Sequence, residues 1–296
     1  MTSAGTEDFI AFRDELVDGG LLIPSGVDGV FGRGEVLEGI RTAFEQFFAA
    51  QVVASGDYEQ LRFPPLLPRD RLHEFGYLQS FPHLAAGIHA FEPDGDGGLA
   101  ENATDLVLCP AACYPVYPAV AARGPLPVGG IAVDAGGAYV FRHEPSPDPA
   151  RMQMFHQREL VRIGEAAPVR AWRDEWQERG LEILQSLGLD ARCEIASDPF
   201  FGHGGRLLAA SQREQELKLE LVVPIAAAEL TAVASFNYHQ DHFGVACGIE
   251  AADGGAAHSA CAGFGEERIA LALLRAHGLD PETWPASVRE RLWPPR

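Results

Sequence analysis

Lysine is almost absent: one residue, Lys218, among 23 basic side chains. A phosphate loop of the GKS/T type is therefore missing, and no lysine is spare for a kinase-type nucleotide site. A pyridoxal enzyme would have to use Lys218. Positive charge is scarce overall, with 23 Lys and Arg against 42 Asp and Glu, a formal charge of −19. That balance argues against non-specific nucleic-acid binding and against an anionic membrane surface. Long hydrophobic runs are missing too. The longest stretch without a charged residue, 106–122, contains Pro110, Pro115 and Pro118 and is too short and broken for a membrane span. The opening MTSAGTEDFIAFRDEL lacks the basic start and apolar core of a signal peptide. Cysteines are few, odd in number and scattered, at 109, 113, 193, 247 and 261. With no export signal, a reduced, cytoplasmic protein is expected, with its important cysteines acting as ligands or nucleophiles.

What is present is a globular composition, 47% hydrophobic and 22% charged. Val36, Ile40, Phe44, Phe47 and Phe48 recur at helical spacing and predict an amphipathic helix over 34–50. EQLRFPPL at 59–66 is a short extended piece ended by prolines. GAYVFRHE (137–144) reads as a strand, EPSPDPAR as a polar loop, and MFHQRELVRI (154–163) as the returning strand. A connection of that length inside a compact domain is often functional. Val169, Trp172, Trp176, Ile183, Leu184 and Leu187 predict a long helix that Gly188 ends. Strands are expected at 191–196, 217–226 and 230–238, and a helix over 264–278. The segment 198–216 is glycine-rich and then helical. Hairpins outnumber βαβ units, so the expected fold is α+β, an antiparallel sheet flanked by helices. The chain reads as one catalytic domain over 1–296, with a helical N-terminal segment over 1–55.

Three arginine-centred sites carry chemistry: Phe141-Arg142-His143-Glu144 on the outgoing strand, Arg151-x-x-x-Phe155 at the loop exit, and Gly263-Phe264-Gly265-Glu266-Glu267-Arg268 entering the last helix. Each alone is weak, since a strand arginine is usually solvated and GxGxxR commonly starts a helix. Together they suit ATP. Planar guanidinium groups hold phosphates in fixed geometry, and Phe155 offers a face to adenine. Glu220 stands among apolar residues in LKLEL, where a lone carboxylate is costly unless paired, as with a nearby arginine. Cys113 and Cys261 read on their own as small buried hydrophobes or as metal ligands, and Cys193 and Cys247 as packing residues. His239-x-x-His242 has a metal-like look, but its surroundings read as strand and turn. Ser235 and Ser259 lack the setting of a hydrolase nucleophile.

This order of strand, polar loop, strand and glycine-arginine helix is similar to the class II aminoacyl-tRNA synthetase core. The strings CPAACYPVYP, FHQRELVRIG, DPFFG, LTAVASFNYHQDHFG and HSACAGFGEERIALALL resemble, in order, the amino acid:[carrier protein] ligases. These are truncated homologues of the atypical zinc-dependent seryl-tRNA synthetases. The likeness covers roughly 60–290.

The resemblance implies a zinc ion held by Cys113, Glu159 and Cys261, with an open place for the free amine of an amino acid. Cys109, four residues before Cys113, is the other cysteine that could serve. It implies Arg142 and Arg268 as catalytic residues and ATP binding by Arg142, Glu144, Arg151, Phe155, Glu220 and Arg268. Glu220 would hold Mg²⁺ on ATP, and Asn237 would contact the amino acid. The implied reaction activates glycine or alanine as an aminoacyl-adenylate. The acyl group then passes to the phosphopantetheine thiol of a carrier protein. A docking insertion is expected over 198–216, and the candidate docking helix over 200–218 carries the basic residues His203, Arg206, Arg213 and Lys218. The helix at 34–50 and the piece at 61–65 match a homodimer-forming element, and the phenylalanine-rich face of that helix reads equally as ordinary core. A tRNA-binding domain is not expected. The alternatives are a synthetase homologue with another acceptor and a non-catalytic paralogue that binds nucleotide or amino acid.

Overall fold

The computed structural model describes residues 3–202, 204–225 and 230–295, so His203 lies outside the described residues. Two helices open the chain, α1 (Ser3–Asp18) and α2 (Glu35–Ser55). Between them lies a hairpin of β1 (Leu22–Val27) and β2 (Val30–Arg33), so the N-terminal segment is not helical throughout. Gly20 and Gly29, at φ +68° and +75°, make the turns that break it. Leu37, Ile40, Phe44 and Phe48 give α2 its buried face.

After β3 (Glu59–Gln60) comes a small sheet of β4 (Leu66–Pro68), β5 (Gly87–Pro93) and β6 (Leu99–Leu108), in the order β4–β6–β5. The short helices α3 (Arg69–Glu74) and α4 (Tyr77–Ser80) sit between β4 and β5, and α5 (Val116–Ala121) follows β6.

The main sheet is built from β7 (Ile131–Phe141), β8 (Met154–Gly164), β9 (Arg192–Ile195), β10 (Lys218–Pro224), β11 (Leu230–Gln240) and β12 (His258–Gly265). Its order is β3–β7–β8–β12–β11–β10–β9. All neighbours are antiparallel except β3 and β7, which run parallel at one edge. The remaining helices are α6 (Ala166–Ser186), α7 (Gly205–Glu214), α8 (His242–Cys247), α9 (Glu266–His277) and α10 (Ala286–Leu292). The sequence pattern places the last long helix from 264; the structure starts it at Glu266 and puts the unexpected central strand β12 before it.

Side chains alternate across a strand, so the sheet has two different faces. One face buries Leu221, Phe236 and Phe264 in the main core with Trp176 and Ile183 of α6 and the apolar side of α9. Gly180 lets α6 come close: a Cβ there would lie 2.8 Å from the Phe236 ring and 3.1 Å from the Phe264 ring. The opposite face carries the polar residues described next. Among the described residues no helix is long and apolar enough to cross a membrane.

Candidate active site

Register brings the polar residues into rows. Lys218 pairs with Asn237 and Asn237 with Cys261. In the next row Glu220 pairs with Ser235, Ser235 with Gly263, and Gly263 with Glu159. Four strands thus present one row of function across the sheet. Gly263 leaves a gap in it: a Cβ there would stand 2.7 Å from Gln157 Nε2 and 3.4 Å from Glu159 Oε1.

The loop after β6 completes the group. The Ala112 N–H donates to Gln157 Oε1 at 3.1 Å, and the Cys113 N–H donates to Glu159 Oε2 at 2.8 Å. These two bonds pin the CPAAC turn over the sheet. Donor atoms of Cys113, Glu159 and Cys261 then lie within 4.8 Å of one another, and all three residues are buried. Cys109 is not in this group; its Sγ faces the Ala111 carbonyl at 3.1 Å. Burial pushes the Cys113 thiol well above its ordinary value and raises the Glu159 carboxyl. Three acidic donors packed together in a buried site are a costly arrangement, and a divalent cation is a group that offsets it. Two sulfurs and one carboxylate oxygen match the donors zinc prefers, and three protein donors leave one tetrahedral position open.

A cavity of about 380 Å³ opens beside this cluster, lined among others by Arg142, Asn237, His239, Asp198 and Lys218. Among the described residues the Arg142 guanidinium has no hydrogen-bond partner. Asn237 Nδ2 lies 3.4 Å from Cys261 Sγ and 3.5 Å from Ser235 Oγ. His239 reaches the same sulfur with Nε2 at 3.6 Å. Loss of hydration pushes its imidazole down to about 3, so the ring is neutral in ordinary buffers.

The other expected ATP residues gather around Arg268. Its Nε donates to the Ala150 carbonyl at 2.7 Å and its Nη1 to the Ala232 carbonyl at 2.8 Å. Burial, with Arg142 and Arg151 nearby, pushes Arg268 down to about 10, and it remains a cation at neutral pH. The charges of Glu144 and Glu220 also act on it. Arg151 and Glu144 pair with each other at 2.7 Å in a half-exposed bridge across the loop. Phe155 is half-buried against the main core.

Three expectations need correction. Glu220 pairs with a lysine, not an arginine: Lys218 Nζ lies 3.1 Å from Glu220 Oε1 and 2.6 Å from Asp198 Oδ1. Lys218 is buried in the cavity wall and is no part of an exposed docking face. It alternates with Leu217 and Leu219 onto the polar side of the sheet. Arg206 and Arg213, by contrast, are exposed on α7. Cys193 is exposed on the edge strand β9, not packed. Sequence reasoning passed over Asp198, Gln157 and Tyr117. The CPAACYPVYP, FHQRELVRIG and DPFFG strings contain all three, but nothing in them marked these residues out.

No family model matches the chain. It is 43% identical over 282 residues to amino acid--[acyl-carrier-protein] ligase 1 of Bradyrhizobium diazoefficiens, covering 90% of this chain and 86% of that protein. Ligase 2 of the same organism is 41% identical over 294 residues, with 94% and 87% covered. A type-2 serine--tRNA ligase of Methanopyrus kandleri is 26% identical over 283 residues, and the chain spans 53% of its length. Among solved structures, the M. kandleri SerRS bound to A. aeolicus tRNASec superposes with a TM-score of 0.81 at 21% identity, covering 95% of this chain and 60% of that one. Prolyl-tRNA synthetase of Giardia lamblia, in complex with prolyl-adenylate, gives 0.70 at 14% identity over 93% of this chain and 54% of its own. The fold is that of the class II aminoacyl-tRNA synthetases.

Proposed function

This chain belongs to the amino acid--[acyl-carrier-protein] ligases, and from that premise we propose how its cavity works. It activates a small amino acid, glycine or alanine, with ATP and passes the acyl group to the phosphopantetheine thiol of a carrier protein. The observation that carries this reading is one cavity holding both the Cys113–Glu159–Cys261 cluster and the free guanidinium of Arg142. A cluster for an amine and a cation for a carboxylate, facing one space, grip the two ends of a small amino acid.

Cys113, Glu159 and Cys261 would hold zinc. Bound there, it is a Lewis acid that accepts only an unprotonated amine. Arg142 orients the carboxylate against the α-phosphate and stabilises the charge that grows as they join. Arg268, fixed by two backbone carbonyls, and Arg151 hold the outer phosphates. Glu144 and Phe155 take the adenine. Glu220 has one oxygen on Lys218 and would hold the Mg²⁺ that accompanies ATP with the other. Such catalysis is mainly positioning and electrostatics. In the second step the carrier's thiol gives its proton to solvent, its sulfur attacks the acyl carbon, and the acyl–oxygen bond breaks so that AMP leaves with the bonding electrons.

The carrier docks on α7. Arg206 and Arg213 are exposed there beside Leu207 and Leu208, 76% and 51% exposed. Acidic carriers suit the arginines, and the leucines supply an apolar centre. The helix α2 and the segment 61–65 form a homodimer contact.

Amino-acid-dependent ATP–pyrophosphate exchange tests the first step, across the twenty amino acids with and without a zinc chelator. Exchange with glycine or alanine that chelation abolishes supports the reading. No exchange by folded, zinc-loaded protein overturns it. Parallel arms with phosphopantetheinylated carrier and with tRNA then identify the acceptor; the carrier is expected to be charged and tRNA not.

A further inference from the structure

His239 and His242 both line the cavity but point at different partners. His242 Nε2 faces the Phe75 carbonyl at 3.1 Å. His239 turns into the cavity at an irregularity in β11. Pairing with β12 steps from Tyr238 opposite Ala260 to Gln240 opposite Ser259, so His239 and Gln240 share one partner. Bulges of this kind re-aim side chains near functional sites. Gln240 takes up the distortion at φ +55°.

His239 Nε2 points at Cys261 Sγ, 3.6 Å away. On its other side Nδ1 lies 3.1 Å from Ser259 Oγ and 3.4 Å from Tyr117 Oη. Ser259 and Tyr117 are fully buried. The Cys261 sulfur is thus backed by one polar group of three residues from α5, β11 and β12. His239 itself does not belong to the set of donors that lie within 4.8 Å of one another. Ligands of one metal ion would have to lie that close, so the ring is placed behind a ligand and not as one.

We propose that His239 is a positioning residue for the metal cluster, its Nε2–H donating a hydrogen bond to the Cys261 thiolate. The inference rests on the metal reading above. The proposal places the ring hydrogen on Nε2, where the sulfur needs a donor, and has Nδ1 accept from the Ser259 or Tyr117 hydroxyl. Asn237 Nδ2 supplies a second donor to the same sulfur at 3.4 Å. Donors on a thiolate fix its direction and draw electron density from it. The cation it holds then accepts an amine more readily.

The test compares wild type with His239→Phe and His239→Gln, all checked for folding by circular dichroism. Zinc affinity is measured by competition with a chromophoric chelator. Cobalt is substituted to read the sulfur-to-metal charge-transfer band. His239→Phe is expected to weaken zinc binding about 10–100-fold and to shift the band. His239→Gln, which keeps an N–H donor, is expected to recover part of both. A folded His239→Phe with wild-type affinity and an unshifted band overturns the proposal. Should that variant not fold, Ser259→Ala keeps the ring and removes the nearer of the two hydroxyls beside Nδ1. It is expected to give a smaller change in the same direction, and no change in either readout overturns the proposal. Wild type that takes up no zinc overturns the metal reading itself, a result distinct from wild type and variants binding alike.

Discussion

Lys218 Nζ lies 2.6 Å from Asp198 Oδ1, so the chain's one lysine ties the segment leading into α7 to the floor of the cavity. Asp198 is joined twice to α7 itself: its N–H donates to Gln212 Oε1 at 2.7 Å, and Gln212 Nε2 donates to its Oδ2 at 2.8 Å. The helix proposed to receive the carrier is therefore wired to the cavity where the acyl group would be made.

Asp198→Asn is expected to lower stability at neutral pH by about 1–3 kcal/mol, the range for leaving a buried polar partner under-satisfied. Glu220 still faces Lys218, which keeps the loss below that of an isolated buried charge. Burial works against the Asp198 carboxylate, but the Lys218 ammonium overcomes it and holds the carboxyl below its ordinary value. A depressed carboxyl stabilises above its unfolded value and loses that contribution as pH falls through its folded one. Melting temperatures taken from pH about 6 down to about 3 should fall more steeply in wild type than in Asp198→Asn. Parallel curves would show that the pair adds nothing.

Gly263→Ala is expected to impair the site without disturbing the core. The new methyl would meet Gln157 Nε2 at 2.7 Å and Glu159 Oε1 at 3.4 Å, both on the cavity side. Gln157 pins the CPAAC turn through Ala112, so moving it disturbs Cys113 as well. Pyrophosphate exchange should fall more for alanine than for glycine, by roughly the 10–200-fold a methyl commands in a tight pocket. Equal rates for both substrates in the variant would place the substrate side chain elsewhere.

Much of this candidate site was legible because its residues sit in strings that are weak one by one but keep a recognisable order along the chain. FRHE and RxxxF flank a loop of prolines, and GFGEER opens a helix that Gly278 closes. The register that joins Glu159 to Cys261 was not legible, because strand pairing between distant segments leaves no local trace. β12 was missed for a related reason. HSACAGFG is built of small residues with little preference for strand, and its burial on both faces comes from the neighbours. Lys218 was misplaced because a lysine in a polar stretch suggests solvent. Only the alternation of LKLEL, read together with Asp198 arriving from 20 residues earlier, turns it inward.

Gly180→Ala tests the fold independently of the site. The added Cβ would press on Phe236 and Phe264, which lie on rigid strands in the main core. Helix propensity alone favours alanine by up to ~1 kcal/mol. Overpacking costs about 1–3 kcal/mol and should prevail, giving a net loss in melting temperature with little change in metal content. A gain in stability would show that α6 can move away from the sheet.

Zinc removal and return should move protons. Burial holds the Cys113 thiol and the Glu159 carboxyl above their ordinary values in the metal-free cluster. Uptake must displace their protons, so apparent zinc affinity is expected to rise with pH across the neutral range. Calorimetry in buffers of different ionisation enthalpy counts the protons released. A count of zero would mean that these groups do not receive the ion.

Arg142 offers the cleaner of two arginine tests. Arg268 is buried and satisfies the Ala150 and Ala232 carbonyls, so its removal would strand two acceptors and confound activity with stability. Arg142 is half-buried, lines the cavity and has no protein partner for its guanidinium among the described residues. Arg142→Ala should leave the melting temperature within the scatter of surface substitutions, about 0.5 kcal/mol. Exchange should nonetheless drop by about 10²–10³, the usual loss when one charge-stabilising donor is removed. Arg142→Lys should restore little of it, because a point charge cannot hold carboxylate and phosphate oxygens in one plane. Rescue by lysine to near wild-type rates would reduce the role of Arg142 to charge alone.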